Sequence, residues 1–173
     1  MYKRKSTRGF TFIESLVYIA VLAMIAVLTI TTLLRLTRAW GFIQSSRVVN
    51  EAASFSMELM TREIRNASAI VAGSTTLDST PGRLTLTTPV SGGGSTTVSF
   101  ALENNRLTVA RGGSASSYAM PTGTYVSSLI FRQLDTSHSS GIRIEMIIDG
   151  LYKGATTTRE TFYSSAMLRG SYH

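Results

Sequence analysis

From Ser15 to Leu34 twenty consecutive residues carry no charge, and as a helix rising 1.5 Å per residue they reach about 30 Å, the thickness of a bilayer's hydrocarbon core. A cleaved secretory signal has an apolar core of roughly 7–15 residues, so this run reads as an anchor, with a membrane span over about 12–34. From Val48 to Ile70 the pattern changes period. Val48, Ala52, Phe55, Leu59 and Ile70, with Val49, Ala53, Met60, Ile64 and Ala67, form a wide apolar arc at helical spacing. Asn50, Glu51, Glu58, Thr61, Arg62 and Arg65 take the other side, and Glu58 stands one turn before Arg62, placed for an i,i+4 pair. Glu63 falls inside the apolar arc and is expected at its edge, in reach of water, rather than paired or at a subunit contact. No proline or cap signal divides the two halves, so one helix over 10–70 is expected, with Gly41 the place for any bend.

After Gly73 the period becomes two. Leu84 and Leu86 alternate with Arg83, Thr85 and Thr87, and a turn over Pro89–Ser95 holds three consecutive glycines. Val98, Phe100 and Leu102 form the next strand, and Glu103-Asn104-Asn105 turns the chain into Leu107 and Val109, a hairpin signal. Gly112 to Ser117 is flexible by composition. Leu129–Leu134 and Ile142–Ile148 are two further strands, and Thr156–Leu168 closes the series. The expected architecture is α+β: a long amino-terminal helix, half membrane-spanning and half amphipathic, packed on a head over 71–173 built as one antiparallel sheet.

Charge changes this picture at the amino terminus. The 173 residues carry a formal net charge of +7, but Lys3, Arg4, Lys5 and Arg8 precede the apolar run without an acid among them, and removing these four leaves +3. Such a block is held on the cytoplasmic side, which sends the head outward. Arg35, Arg38 and Trp40, with Phe42 just beyond, follow the run as cations and aromatics do at a membrane interface. Glu14 sits beside a stretch that would otherwise span cleanly; an acid at the centre of a membrane helix costs about 2.5–3.5 kcal/mol, less near the interface. It calls for a partner.

The junction Lys5-Ser6-Thr7-Arg8-Gly9-Phe10-Thr11-Phe12-Ile13-Glu14, with its basic leader, Gly9, Phe10, an acid at the fifth place counted from Phe10 and the uncharged run, resembles the signal of type IV prepilins and pseudopilins. The resemblance covers about the first 30 residues. It implies that a prepilin peptidase cuts between Gly9 and Phe10, removing a leader over 1–9, and methylates the new amino terminus of Phe10. It implies that Glu14 meets the Phe10 amine of a neighbouring subunit as the chain leaves the bilayer for a filament. It also implies a pilin-like fold and, as partners, the peptidase, other pilin or pseudopilin subunits, assembly-platform proteins and the lipid bilayer. The expected path is the cytoplasmic (inner) membrane, single-pass with the head outside, then a periplasmic or cell-surface filament. The segments Thr61–Ala67, Leu102–Arg111 and Glu160–Arg169 resemble J-type minor pseudopilins and related minor pilins. Two departures stand out: no proline precedes Pro81, where many major pilins have one in the membrane half, and no cysteine pair closes a carboxyl-terminal loop.

Catalytic patterns are not evident. His138 and His173 have no cysteine and no helically spaced acid near them, whereas a zinc site needs about four ligands, so neither metal nor cofactor is expected. No Gly-x-Ser-x-Gly elbow or Ser-x-x-Lys occurs, and Gly92-Gly93-Gly94 lacks the Gly-Lys-Ser/Thr of a phosphate loop. Arg106, Arg111, Arg132, Arg143, Lys153, Arg159 and Arg169 are scattered and interleaved with acids, so they read as solvated strand faces before a nucleic-acid interface. The expectation is a structural filament subunit, not an enzyme. The rivals are a filament-borne module that binds DNA, a surface or an exported protein, and a lone membrane-anchored β-domain.

Overall fold

The computed structural model describes residues 11–136, 139–152 and 155–169; the leader with Gly9 and Phe10, together with His138, Lys153 and His173, lies outside them. The first element, α1, is Phe12–Asn66, and eight strands follow: β1 (Ala69–Ile70), β2 (Arg83–Pro89), β3 (Ser95–Glu103), β4 (Arg106–Arg111), β5 (Ser117–Tyr118), β6 (Thr124–Thr136), β7 (Ser139–Tyr152) and β8 (Ala155–Met167). The chain divides into two compact units, 1–40 and 41–173.

In the first unit the described residues are helical and their apolar side chains are exposed on every face, from Ile19 and Leu22 to Leu33 and Leu34. A helix apolar all round suits a lipid surrounding. The threonines within it hide their hydroxyls by donating to the preceding turn: Thr29 to the Ile25 carbonyl at 2.8 Å, Thr31 and Thr32 to Leu28 at 3.0 and 2.8 Å, and Thr37 to Leu34 at 3.0 Å. These bonds leave no donor unmet, which keeps four polar residues compatible with hydrocarbon.

In the second unit α1 buries Gly41, Ser45, Val49, Ala52, Ala53, Ser56, Leu59, Met60, Glu63 and Ile64, steps of three and four that define one face. Its amino-terminal part is small-sided, and there the backbone of β7 comes close: a Cβ on Gly150 would lie 2.5 Å from both Ser45 Oγ and Val49 Cγ2. Further along, Met60 and Ile64 join Phe100, Phe131, Leu84, Leu86, Ile144 and Ile148 in a shared core. Phe55, placed in the apolar arc by spacing, is instead 56% exposed. The Glu58–Arg62 pair is absent among the described residues; Arg62 lies 3.9 Å from Glu63.

The helix, expected to reach residue 70, ends at Asn66. Ala67 N–H closes on the Ile64 carbonyl at 3.2 Å, and then the Ser68 N–H and hydroxyl both bond the Thr87 carbonyl at 2.8 and 3.1 Å. This local capture hands the chain to β1, which pairs with β2 at Ala69↔Thr87 and Ile70↔Leu86.

The expected single sheet is two: β1-β2-β3-β4-β5 and β6-β7-β8, antiparallel throughout. The break falls at Ala119–Gly123, where Ala119 and Met120 bury their side chains, Pro121 has no N–H, and Gly123 takes φ +95°. The hairpin expected at Asn104-Asn105 is there, with Glu103 opposite Arg106 and both asparagines at positive φ, 51° and 57°, the geometry of a type I′ turn.

Candidate functional site

The residues singled out by the amino-terminal motif begin, among those described, at Thr11. Its carbonyl accepts the N–H groups of Glu14 and Ser15 at 3.1 and 3.2 Å, and its Oγ1 lies 3.4 Å from the Glu14 N–H. Thr11 therefore caps α1, and Glu14 stands in the first turn, where a carboxylate is favoured by the positive end of the helix dipole. Thr11-Phe12-Ile13-Glu14 has the spacing of a capping box. That spacing is legible in the sequence, and it gives Glu14 a structural role in the helix start beside its charge. Glu14 is exposed, and among the described residues it has no ion-pair partner.

Beyond the apolar stretch, Arg35, Arg38 and Trp40 all lie exposed on α1, Trp40 at 64%. The span Phe12–Asn66 contains a segment long and apolar enough to cross a membrane, none of it buried.

Some of the head's charged groups are paired. Glu63, expected in reach of water, is 9% exposed and accepts a 2.7 Å bond from Arg111 Nη2 at the end of β4. The correction has a simple cause: the carboxylate points across the helix–sheet boundary, where Arg111, 48 positions away, reaches it. Arg159 clasps Asp149 across β7 and β8 at 2.6 and 3.0 Å. That hydrogen bond holds the Asp149 carboxyl below the ordinary carboxylate value; partial burial opposes the shift, and the Arg159 charge and Ser127 add to it. Arg132, set directly opposite Arg143, lies 3.3 Å from Asp78 and 3.9 Å from Glu145, while Arg143 stacks 5.3 Å from the Tyr163 ring centre. These contacts dispose of a like-charge cross-strand pair. Among the described residues no three His, Cys, Asp or Glu side chains cluster as metal ligands.

Residues 4–30 match the family model of the prokaryotic N-terminal methylation motif, the signature characteristic of type IV pilins and pseudopilins. The chain thus combines that motif with a long amino-terminal helix and antiparallel sheets in an α+β, pilin-like arrangement. Comparison with the curated proteins and with the solved structures gives no match.

Proposed function

We propose that the chain is a structural filament subunit, a minor pilin or pseudopilin of a type IV pilus or a type II secretion-like filament, of the J type or a related one. Prepilin peptidase cuts between Gly9 and Phe10 and methylates Phe10. The head lies outside the cytoplasmic membrane, the segment from Ser15 to Leu34 anchors it, and Arg35, Arg38 and Trp40 mark the outer interface. The single observation that carries this reading is the methylation motif over residues 4–30; the exposed, uncharged helix behind it supports it. Assembly-platform proteins then pass the chain into a filament beside other subunits.

Glu14 has two duties in this reading. Cleavage places an ammonium at Phe10, on the positive end of a helix, where the dipole repels it. A carboxylate in the first turn offsets that within one chain, and in a dry bundle it pairs with the amine of a neighbour. Removing one side of a buried ion pair costs about 3–5 kcal/mol. Intact-mass analysis of membrane-extracted protein tests the reading: the expected species starts at Phe10 with one added methyl group. A chain that retains Met1 refutes it. Glu14→Ala is expected to be cleaved and to stay in the membrane, yet to co-purify poorly with other pilin subunits; association at the wild-type level removes Glu14 from assembly.

A further inference from the structure

A sheet edge presents a row of unpaired N–H and C=O groups unless the fold blunts it. The sheet β1-β2-β3-β4-β5 ends on both sides in strands of two residues. The free side of β6 is already occupied: the Phe131 and Leu129 carbonyls accept the N–H groups of Asp78 and Gly82 at 2.9 and 2.8 Å, and the Val126 N–H donates to the Asn105 carbonyl at 2.8 Å. β8 differs. It is 13 residues long, holds no proline, glycine or lysine, and among the described residues pairs with β7 alone. Its register shows which of its groups are left over. The Leu168 N–H bonds the Ser140 carbonyl at 2.9 Å, in the register that continues through Ala166↔Ile142, Ser164↔Ile144 and Phe162↔Met146. Hydrogen-bonded pairs alternate along an antiparallel ladder, so the even-numbered residues spend their backbone groups on β7. Thr161, Tyr163 and Ser165 therefore turn theirs to the free side, and all three residues are exposed.

One flank of α1 lies along this edge. Ser46 donates to Glu160 at 3.0 Å and the Thr61 and Ser164 hydroxyls meet at 3.1 Å, so α1 and β8 run in the same direction. Between helix and strand a cleft of about 420 Å³ takes in Met57, Thr61 and Ser164; its charged lining, Glu58, Arg62 and Arg65, favours no single sign of ligand. Phe162 shares the face of β8 that carries Glu160 and Ser164. Met57 and Phe162 pack against the core yet stay only partly buried, so the apolar interior is left incompletely covered at this edge.

We infer that β8 accepts an extended segment of a different protein, which adds a fourth strand to β6-β7-β8. Its backbone bonds Thr161, Tyr163 and Ser165, and its alternate side chains are apolar and cover Met57 and Phe162, the division of labour usual in strand addition. A second copy of this chain does not fit. A two-fold axis through the sheet would set the two β8 strands antiparallel and the two α1 helices with them, so that the apolar segments at their amino-terminal ends leave in opposite directions. An axis along the strands keeps those segments together, but it points each residue and its mate to opposite faces, whereas residues paired in a ladder share a face. The remaining edges of a second copy are the blunted ones. This exclusion rests on the membrane anchoring of α1 and is independent of processing at Phe10.

The test uses the full chain in lipid nanodiscs and a labelled, acetylated peptide of alternating Val and Thr. In the free protein the amides of Thr161, Tyr163 and Ser165 are expected to exchange hydrogen faster than those of Phe162 and Ser164. The peptide should bind saturably by fluorescence anisotropy and slow the three fast amides. Thr161→Pro removes one outward N–H and spares the ladder to β7, and it should weaken binding roughly tenfold or more. Met57→Glu, which sets a charge where the apolar side chain would lie, should act in the same direction. Unchanged exchange at Phe162 and Ser164 separates lost binding from lost folding in either variant. Equal protection of odd and even amides in the free protein overturns the inference, as does absence of saturable binding or binding indifferent to Thr161→Pro. Light scattering that shows a dimer abolished by Thr161→Pro also overturns it, by making a second copy the occupant.

Discussion

Gly150 is where β7 and α1 come closest, and Gly150→Ala puts one methyl group into that contact. The new Cβ would lie 2.5 Å from Ser45 Oγ, 2.5 Å from Val49 Cγ2 and 3.2 Å from the Ser45 carbonyl oxygen, whereas carbon atoms rest at about 3.5–4.0 Å. Something must move by about 1 Å. Val49 is β-branched and holds one strongly preferred rotamer in a helix, and it is fully buried; Ser45 is 2% exposed with its hydroxyl already without a partner. Neither side chain can swing into space, so the helix must lift. Overpacking of this kind costs about 1–3 kcal/mol, and for a head of this size about 2 kcal/mol lowers the melting temperature by roughly 8 °C. The assay is thermal unfolding of the full chain in detergent, followed by far-ultraviolet circular dichroism in the β region. Ser45→Ala alone is expected to be neutral or slightly stabilising, because it removes an unsatisfied buried hydroxyl. Combined with Gly150→Ala it should recover part of the loss, since one of the two clashing atoms is gone and the sites are in contact. A melting temperature within about 1 °C of wild type for Gly150→Ala, or strict additivity with Ser45→Ala, refutes the close approach.

Arg111→Ala leaves Glu63 nearly buried with only the distant Arg62 guanidinium nearby, and it should destabilise the head by about 1–3 kcal/mol. Urea unfolding of the variant and of the Arg111→Ala, Glu63→Ala double variant measures the coupling, and a value near zero sinks the pairing. Asp149 titrates below its ordinary value because the Arg159 hydrogen bond favours the carboxylate, so its contribution is complete above the unfolded-state value near pH 3.8 and is lost as pH falls through the lower folded-state value. Wild type should therefore lead Asp149→Asn in stability at neutral pH, with the gap narrowing below about pH 4; a gap that widens on acidification contradicts the sign.

Secondary structure was legible where one physical signal dominated. The run from Ser15 to Leu34 has no charge to oppose a membrane helix, and the Asn104-Asn105 hairpin needs two positive φ values that asparagine tolerates. Strands β6 and β7 are longer than their apolar cores because they continue through Ser128, Ser139 and Ser140, where the ladder holds residues whose side chains show no alternation. The division into two sheets was hidden for a related reason. Ala119 and Met120 are a short apolar pair in the sequence, and their burial where the two sheets part is set by the fold alone. Phe55 shows the opposite error: periodicity assigns a residue to a face, but the width of that face is set by what packs on it. Here Ala52, Ala53 and Ser56 let the sheets approach so closely that the arc narrows and leaves Phe55 outside.

The same division runs through the candidate sites. The amino-terminal motif is contiguous, so every residue in it could be named from sequence, and the capping role of Thr11 lies within four positions of Glu14. Glu63 and Arg111 are 48 residues apart, and Arg65 and Arg169, which line one cleft, are separated by about a hundred residues of chain. Nothing local marks Arg65 or Arg169 as different from Arg132 or Arg159. The difference is what stands nearby: Asp78 and Asp149 answer two of the guanidinium groups, while among the described residues no acid answers the other two. Pairing of a surface guanidinium is decided by which strands and turns the fold brings beside it, and among the described residues Arg47, Arg83 and Arg143 are likewise left without an acid.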